Sequence, residues 1–254
     1  MNIDTLFNDK QIIAATRSDE EFSLAMQSDA EIIFDLCADI LTLTKKIKAA
    51  HDAKKRLFIH VDLAQGVGRD KSGIMLLKKM GIDGIIFPMV KNAAHAKELL
   101  DITLYPPYGK RGCGPRGAVR YGLDDESEYY KNGHLKLCRF VQIELSSAAE
   151  DAEAIANLEY LDGCILGMHD LSGSINRLGD VFCDENLALA NKSIKAFKDA
   201  GKTVGVATFA TDKGTLQKYY DMGINMIASG ADYDYIMKGA QNTLKVLKEV
   251  ETSK

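Results

Sequence analysis

The sequence predicts a single α/β domain over residues 1–254, a closed parallel (β/α)8 TIM barrel. Three observations predict it. Short apolar runs alternate with amphipathic stretches eight times along the chain. Most of these runs are apolar without interruption, as parallel strands covered on both faces require. The chain has 254 residues, 46% of them apolar, and no composition shift marks an internal boundary. That is the usual size of one such barrel.

The units follow in order. Residues 11–16 (QIIAAT) read as the first strand, and SDEEF opens a helix running to residue 26. EIIF at 31–34 is the second strand, and 42–50 the second helix, with Leu43, Ile47 and Ala50 spaced for one buried face. LFIHV at 57–61 is the third strand, then the loop QGVGRD and a helix over 71–80 stopped by Gly81. GIIFPMV at 84–90 and a helix at 93–100 make the fourth unit. Residues 105–122 (YPPYGKRGCGPRGAVRYG) then break the rhythm with three of the four prolines and five glycines. A long loop of this kind in a compact domain is usually functional. Strand five is expected at 139–145, helix five at 147–158 and strand six at 162–167. A helix over 186–200 ends at Gly201. Strand seven is TVGVA at 203–207, with a helix at 214–222 stopped by Gly223. Strand eight is 226–229, and the last helix spans 235–250.

Net charge is −4 and the pI about 5.8, so electrostatics give no reason to expect nucleic acid or a membrane surface. Residues 1–10 hold no apolar targeting segment and no run is long enough to span a bilayer, so a cytoplasmic protein is expected. The five cysteines, at 37, 113, 138, 164 and 183, form no CxxC pair, which supports neither a disulfide frame nor a zinc site. Cys138 and Cys164 sit in or beside apolar runs and read as small core residues.

Two apolar runs end in acids. Glu144 closes RFVQIEL, and Asp170 follows LDGCILGMH about one strand–helix–strand step later. On neighbouring parallel strands both carboxylates emerge at the C-terminal rim, where such folds bind ligands. Two hard oxygen donors there suit Mg²⁺ or Mn²⁺; the alternative is a salt bridge to a loop arginine. Gly167 leaves room for a substrate beside the backbone, and Leu171-Ser172 can open a short helix whose amides face an anion. Arg111, Arg116 and Arg120 in the glycine-rich loop either grip a carboxylate or pin the loop or a subunit interface. His60 and Asp62 end strand three and form a candidate acid/base pair, against the plainer reading of a structural strand histidine. His169 offers the site its backbone N–H, whereas His51, His95 and His134 read as solvated. Gly66 and Gly68 make no dinucleotide fingerprint. Asp232, Tyr233, Asp234 and Tyr235 either line the mouth or begin the last helix.

Residues from about 84 to 245 resemble the HpcH/HpaI aldolase (citrate lyase-like) family. The matching pieces are Pro88-Met89-Val90, YPPYGKRGCGPRGAVRYG, VQIE at 141–144, GMHDLS at 167–172 and GADYDYIMKGA. The resemblance implies a barrel of the phosphoenolpyruvate/pyruvate type in a homo-oligomer, trimer or hexamer, that exchanges its last helix. It implies a divalent metal (Mg²⁺, Mn²⁺ or Co²⁺) on Glu144 and Asp170. It implies reversible C–C bond chemistry on a small 2-oxo acid such as pyruvate, through a metal-stabilised enolate. Gln142, Gly167, His169 and Asp170 then hold the substrate.

The first 85 residues depart from that pattern. The family's strand-two histidine falls at Ala38, its strand-three arginine near Asp62, and its orienting aspartate at Lys79. IIAATRSDEEF, EIIFDLCADIL and LFIHVDLAQGVGRDKSG instead resemble the glycerol-3-phosphate-responsive antiterminator family, whose members are barrels that regulate transcripts by binding RNA. The expectation is therefore a metal-dependent carbon–carbon lyase of aldolase or decarboxylase type with an altered acid/base apparatus. His60, Asp62 and Arg111 are its catalytic candidates, and Arg17, Arg69 or Arg111 its carboxylate holders. The alternative is a non-catalytic metabolite-sensing or antiterminator-like barrel.

Overall fold

The structure, a computed structural model, describes residues 13–36, 39–60, 81–114 and 116–252. Eight strands form one parallel sheet in sequence order: β1 (Ile13–Thr16), β2 (Ile32–Asp35), β3 (Arg56–His60), β4 (Gly84–Phe87), β5 (Cys138–Ile143), β6 (Gly163–Leu166), β7 (Thr203–Thr208) and β8 (Met226–Ser229). Each strand pairs with the next. β8 comes back against β1, and no hydrogen-bonded ladder joins them among the described residues. The barrel is nearly closed.

The helices are α1 (Asp19–Gln27), α2 (Ile40–Asp52), α3 (Ala93–Thr103), α4 (Glu126–Asn132), α5 (Ser146–Glu150), α6 (Ala152–Ala156), α7 (Met168–Ser174), α8 (Asp184–Asp199), α9 (Lys213–Asp221) and α10 (Asp232–Thr252). Gly201 (φ 70°) and Gly223 (φ 85°) end α8 and α9 in the left-handed region, as the sequence predicts. Three expectations are corrected. β4 stops at Phe87, because Pro88 has no N–H for the ladder and Met89 turns to φ 54°. The helix expected at 147–158 is two short helices, with Asp151 between them at φ −96° and ψ 14°. The 105–122 loop leads into α4, an added helix capped by Asp125, rather than directly into strand five. The helix expected at 71–80 lies outside the described residues.

Strand residues alternate between two cores. Ile33, Leu57, Ile59, Ile85, Val141, Ile143, Leu166, Val204 and Val206 pack against the helices. Ile32, Phe34, Phe58, Ile86, Cys138, Phe140 and Ile165 fill the lumen. Two Asp-Gly pairs help seat the lower lumen. Asp83 accepts a hydrogen bond from the Leu57 N–H, and Asp162 accepts one from the Arg139 N–H. A Cβ on Gly84 would lie 2.6 Å from the Phe58 ring, and one on Gly163 would lie 2.5 Å from the Phe140 ring. The glycines thus let both phenylalanines fill the barrel floor.

Candidate functional site

Above the aromatic layer the lumen residues shrink. β1, β7 and β8 contribute Ala15, Ala207 and Ala228, and Gly167 follows β6. Side chains this small leave a cavity of about 160 Å³ at the C-terminal ends of the strands. Phe34, Leu36 and Phe209 supply apolar wall, and Arg17, Gln142, His169 and Asp170 supply polar groups.

Glu144 is the first residue beyond β5, and Gly167 the first beyond β6. The register pairs Ile143 with Leu166, so these two stand level. A Cβ on Gly167 would lie 2.7 Å from the Glu144 Cβ and 2.8 Å from Oε2. The carboxylate therefore occupies space that only glycine leaves. Glu144 is buried at 3% exposure. Its Oε1 accepts from the Met89 N–H at 2.5 Å, and its Oε2 accepts from Gln142 Nε2 at 3.1 Å. Met89 reaches it from a positive φ, which is uncommon away from glycine and clusters at functional sites. Gln142 turns its amide oxygen to His60, so His60 Nε2–H is the donor in that 2.5 Å contact. His60, Gln142 and Glu144 thus form one hydrogen-bonded chain across the upper lumen. His60 does not line the cavity; Gln142 stands between.

Asp170 lies in the first turn of α7 and is exposed at the cavity, where no described residue gives it a hydrogen bond or ion pair. The His169 ring stands edge-on to Phe209, with centroids 5.7 Å apart, and its carbonyl accepts from Ser172 Oγ at 2.7 Å.

Of the sequence candidates, Gln142, Gly167, His169 and Asp170 line this cavity, while Glu144 is buried against Gly167 and His60 lies behind Gln142. Asp62, Arg69, Ala38 and Lys79 lie outside the described residues. Arg111 does not join the group. Its N–H donates to the Leu104 carbonyl just past the C-terminus of α3, and its guanidinium stacks 4.3 Å above the Tyr105 ring. Nearby Arg139, at the start of β5, donates from Nε to Thr103 Oγ1 at 2.6 Å. Both arginines are buried at the opposite, N-terminal end of the barrel. Burial brings the Arg139 guanidinium down to about 10. Arg120 pairs with Asp124 on the surface, and His51 pairs with Asp83. Cys138 and Cys164 are core residues as expected, and burial pushes the Cys138 thiol up to about 12.

The donor chemistry at the rim fits a hard divalent cation. The Met89 N–H and Gln142 Nε2 both donate to Glu144, and among the described residues no hydrogen bond or ion pair engages Asp170. Magnesium-type ions are held by one or two carboxylates, with water and ligand completing the shell. No cluster of three or more His, Cys, Asp or Glu residues able to hold an ion is found among the described residues.

Fold and rim define a parallel α/β barrel with a cavity at the C-terminal ends of its strands. The curated relatives say more. The chain is 32% identical over 184 residues to a hydroxypyruvate/pyruvate aldolase of Chromohalobacter salexigens, covering 72% of this chain and 71% of that protein. It is 30% identical over 182 residues to a 4-hydroxy-2-oxovalerate aldolase of Novosphingobium aromaticivorans, covering 72% and 68%. A solved HpcH/HpaI aldolase/citrate lyase family protein from Burkholderia cenocepacia J2315 superposes with a TM-score of 0.81 at 19% identity, over 96% of this chain and 97% of that one. The chain belongs to the HpcH/HpaI aldolase family. Residues 12–104 also match the model of the glycerol-3-phosphate responsive antiterminator family. No described helix is long and apolar enough to cross a membrane.

Proposed function

We propose that the protein is a divalent-metal-dependent carbon–carbon lyase, of aldolase or decarboxylase type, acting on a small 2-oxo acid. The observation that carries this reading is the level placement of Glu144 and Gly167, with Asp170 following in α7 and engaged by no hydrogen bond or ion pair among the described residues. Glu144 and Asp170 hold the ion, Mg²⁺ or Mn²⁺, and the aldolase relatives support that chemistry. When bound, the ion supplies Lewis-acid polarisation of the oxo-acid carbonyl. The chain's own residues do the rest. Met89 and Gln142 fix the Glu144 carboxylate, and His60 holds the Gln142 amide in the orientation that donates to Glu144. His60 is thus a positioning residue in this reading. The acid enters the cavity bordered by Gly167, His169 and Asp170, and the walls of Phe34, Leu36 and Phe209 limit water.

Two measurements test it. Glu144→Ala lowers Mn²⁺ affinity at least tenfold in a titration; unchanged affinity removes the metal pair. The wild-type protein with Mn²⁺ exchanges the methyl protons of pyruvate for solvent deuterium; no exchange with any divalent ion counts against the lyase.

The antiterminator match over 12–104 favours a second reading, a metabolite-sensing barrel that binds RNA. Filter binding to RNA with and without small phosphates separates the two. A homo-oligomer, trimeric or hexameric, and a cytoplasmic location complete the proposal.

A further inference from the structure

We infer that the ligand of this cavity carries a second oxyanion, carboxylate or phosphate, remote from the Glu144–Asp170 end, and that Arg17 receives it. The identity of the first end rests on the oxo-acid reading above; the role of Arg17 is argued from its own surroundings.

Arg17 is the first residue beyond β1. Ile13 and Ala15 pack with the lumen cluster, and the two-residue alternation continues to Arg17, which lines the cavity. Its backbone is pinned. The Arg17 N–H donates to Glu21 Oε2 at 2.6 Å, while Ser18 Oγ caps α1 by accepting from the Glu21 N–H at 3.1 Å. The Glu21 carboxylate therefore serves the backbone and not the guanidinium. The guanidinium is held by rings. Its Cζ lies 6.0 Å from the centroid of Phe209, after β7, and 5.7 Å from that of Tyr233, in α10. One donor, Nη1, reaches Tyr233 Oη at 3.0 Å.

A guanidinium presents five N–H groups in a planar fork. Aromatic rings near it draw on its charge without consuming those donors. Among the described residues no carboxylate forms an ion pair with Arg17. Asp170, which lines the same cavity, is out of ion-pairing range. A cation fixed in place and facing a cavity with most of its fork unused is built for bidentate oxyanion binding. Ala15, Ala207 and Ala228 keep the intervening space open, and the volume is roughly ten times the ~10–15 Å³ that one water needs. A ligand that engages both the Asp170 end and Arg17 is thus charged at both ends.

The test is binding of pyruvate, 2-oxoglutarate and phosphoglycolate to the full chain by titration calorimetry, with Mn²⁺ and again with EDTA. At least one of the two-ended probes is expected to bind about tenfold tighter than pyruvate, the scale of a hydrogen bond to a charged group. Arg17→Ala removes that advantage and leaves pyruvate unchanged, and Arg17→Lys restores part of it. The probe that shows the dependence tells whether the second group is carboxylate or phosphate. Equal weakening of all three probes, or of none, overturns the proposal. If Arg17→Ala does not fold, Arg17→Lys and Tyr233→Phe carry the comparison, and a two-ended advantage unchanged in both overturns it. Arg17-dependent binding without pyruvate proton exchange refutes the lyase reading and leaves this inference standing.

Discussion

Gly167 is where one added methyl tells most about the site. A Cβ there would sit 2.7 Å from the Glu144 Cβ and 2.8 Å from Oε2, well inside van der Waals contact. Gly167→Ala must therefore displace the carboxylate from Met89 and Gln142. Overpacking of this kind costs about 1–3 kcal/mol, which urea unfolding reads directly. The same variant is expected to lower Mn²⁺ affinity; a variant that keeps both stability and affinity shows that the glycine is incidental. That Glu144 and Asp170 follow β5 and β6 was legible in the sequence, because the C-terminal ends of the strands in a parallel barrel all lie at one rim. Arg111 was not. A glycine- and proline-rich loop reveals its composition and not which end of the barrel it occupies. α3 runs 11 residues away from the rim before that loop begins, and at about 1.5 Å per residue it reaches the far face. Arg17 was legible only as one carboxylate holder among three. Its ring partners come from the turn after β7 and from α10, too far along the chain for local spacing to connect them.

At the level of elements, α2 is locked to β2 by a buried ion pair. Lys46 Nζ lies 2.9 Å from Asp35 Oδ2 and 3.0 Å from Asp19 Oδ1, and the Asp35 side chain is fully buried. Burial pulls the Lys46 ammonium down, but hydrogen bonds to Asp35 and Asp19 outweigh it and leave it above its ordinary value. Lys46→Met takes the ammonium from the buried Asp35 carboxylate, and removing one partner of a buried pair costs up to about 3–5 kcal/mol in denaturant unfolding. Because the folded value is the higher one, the stabilisation is complete below the ordinary lysine pKa of about 10.4 and is lost as pH rises through the folded value. The wild type is therefore expected to lose stability above that range, and Lys46→Met to lose less over the same interval. A difference between them that is flat across that interval would contradict the assignment. The pair was not anticipated, although Asp35 sits in a strand otherwise apolar. A lone acid in such a run reads as a strand end until its partner on the next helix is seen. The Asp-Gly pairs at 83–84 and 162–163 are similar: each looks like a turn, and each also shapes the floor beneath the following strand.

Across the whole molecule, the barrel was legible because its eightfold rhythm survives errors of a few residues at each boundary. α4 was missed because the loop before it holds most of the prolines and masks a short helix. The last helix, α10, runs 21 residues with Ile236, Met237, Leu244, Leu247 and Val250 all more than half exposed. Large apolar side chains recurring along a solvent-facing helix are what the proposed homo-oligomer would cover. Light scattering is expected to give a multiple of the 27.9 kDa chain mass, and the double variant Leu244→Glu, Leu247→Glu to give the single-chain value. An unchanged mass in that variant would exclude this helix as the contact. The three alanines around the mouth have a different kind of reach. Their methyl groups carry neither charge nor a hydrogen-bonding atom, and Ala15 and Ala207 also pack on the phenylalanine floor below them. Bore and charge are therefore separate settings in this protein. Lengthening one alanine to valine or leucine shortens the longest guest the mouth admits, while the groups that greet each end of that guest stay as they are.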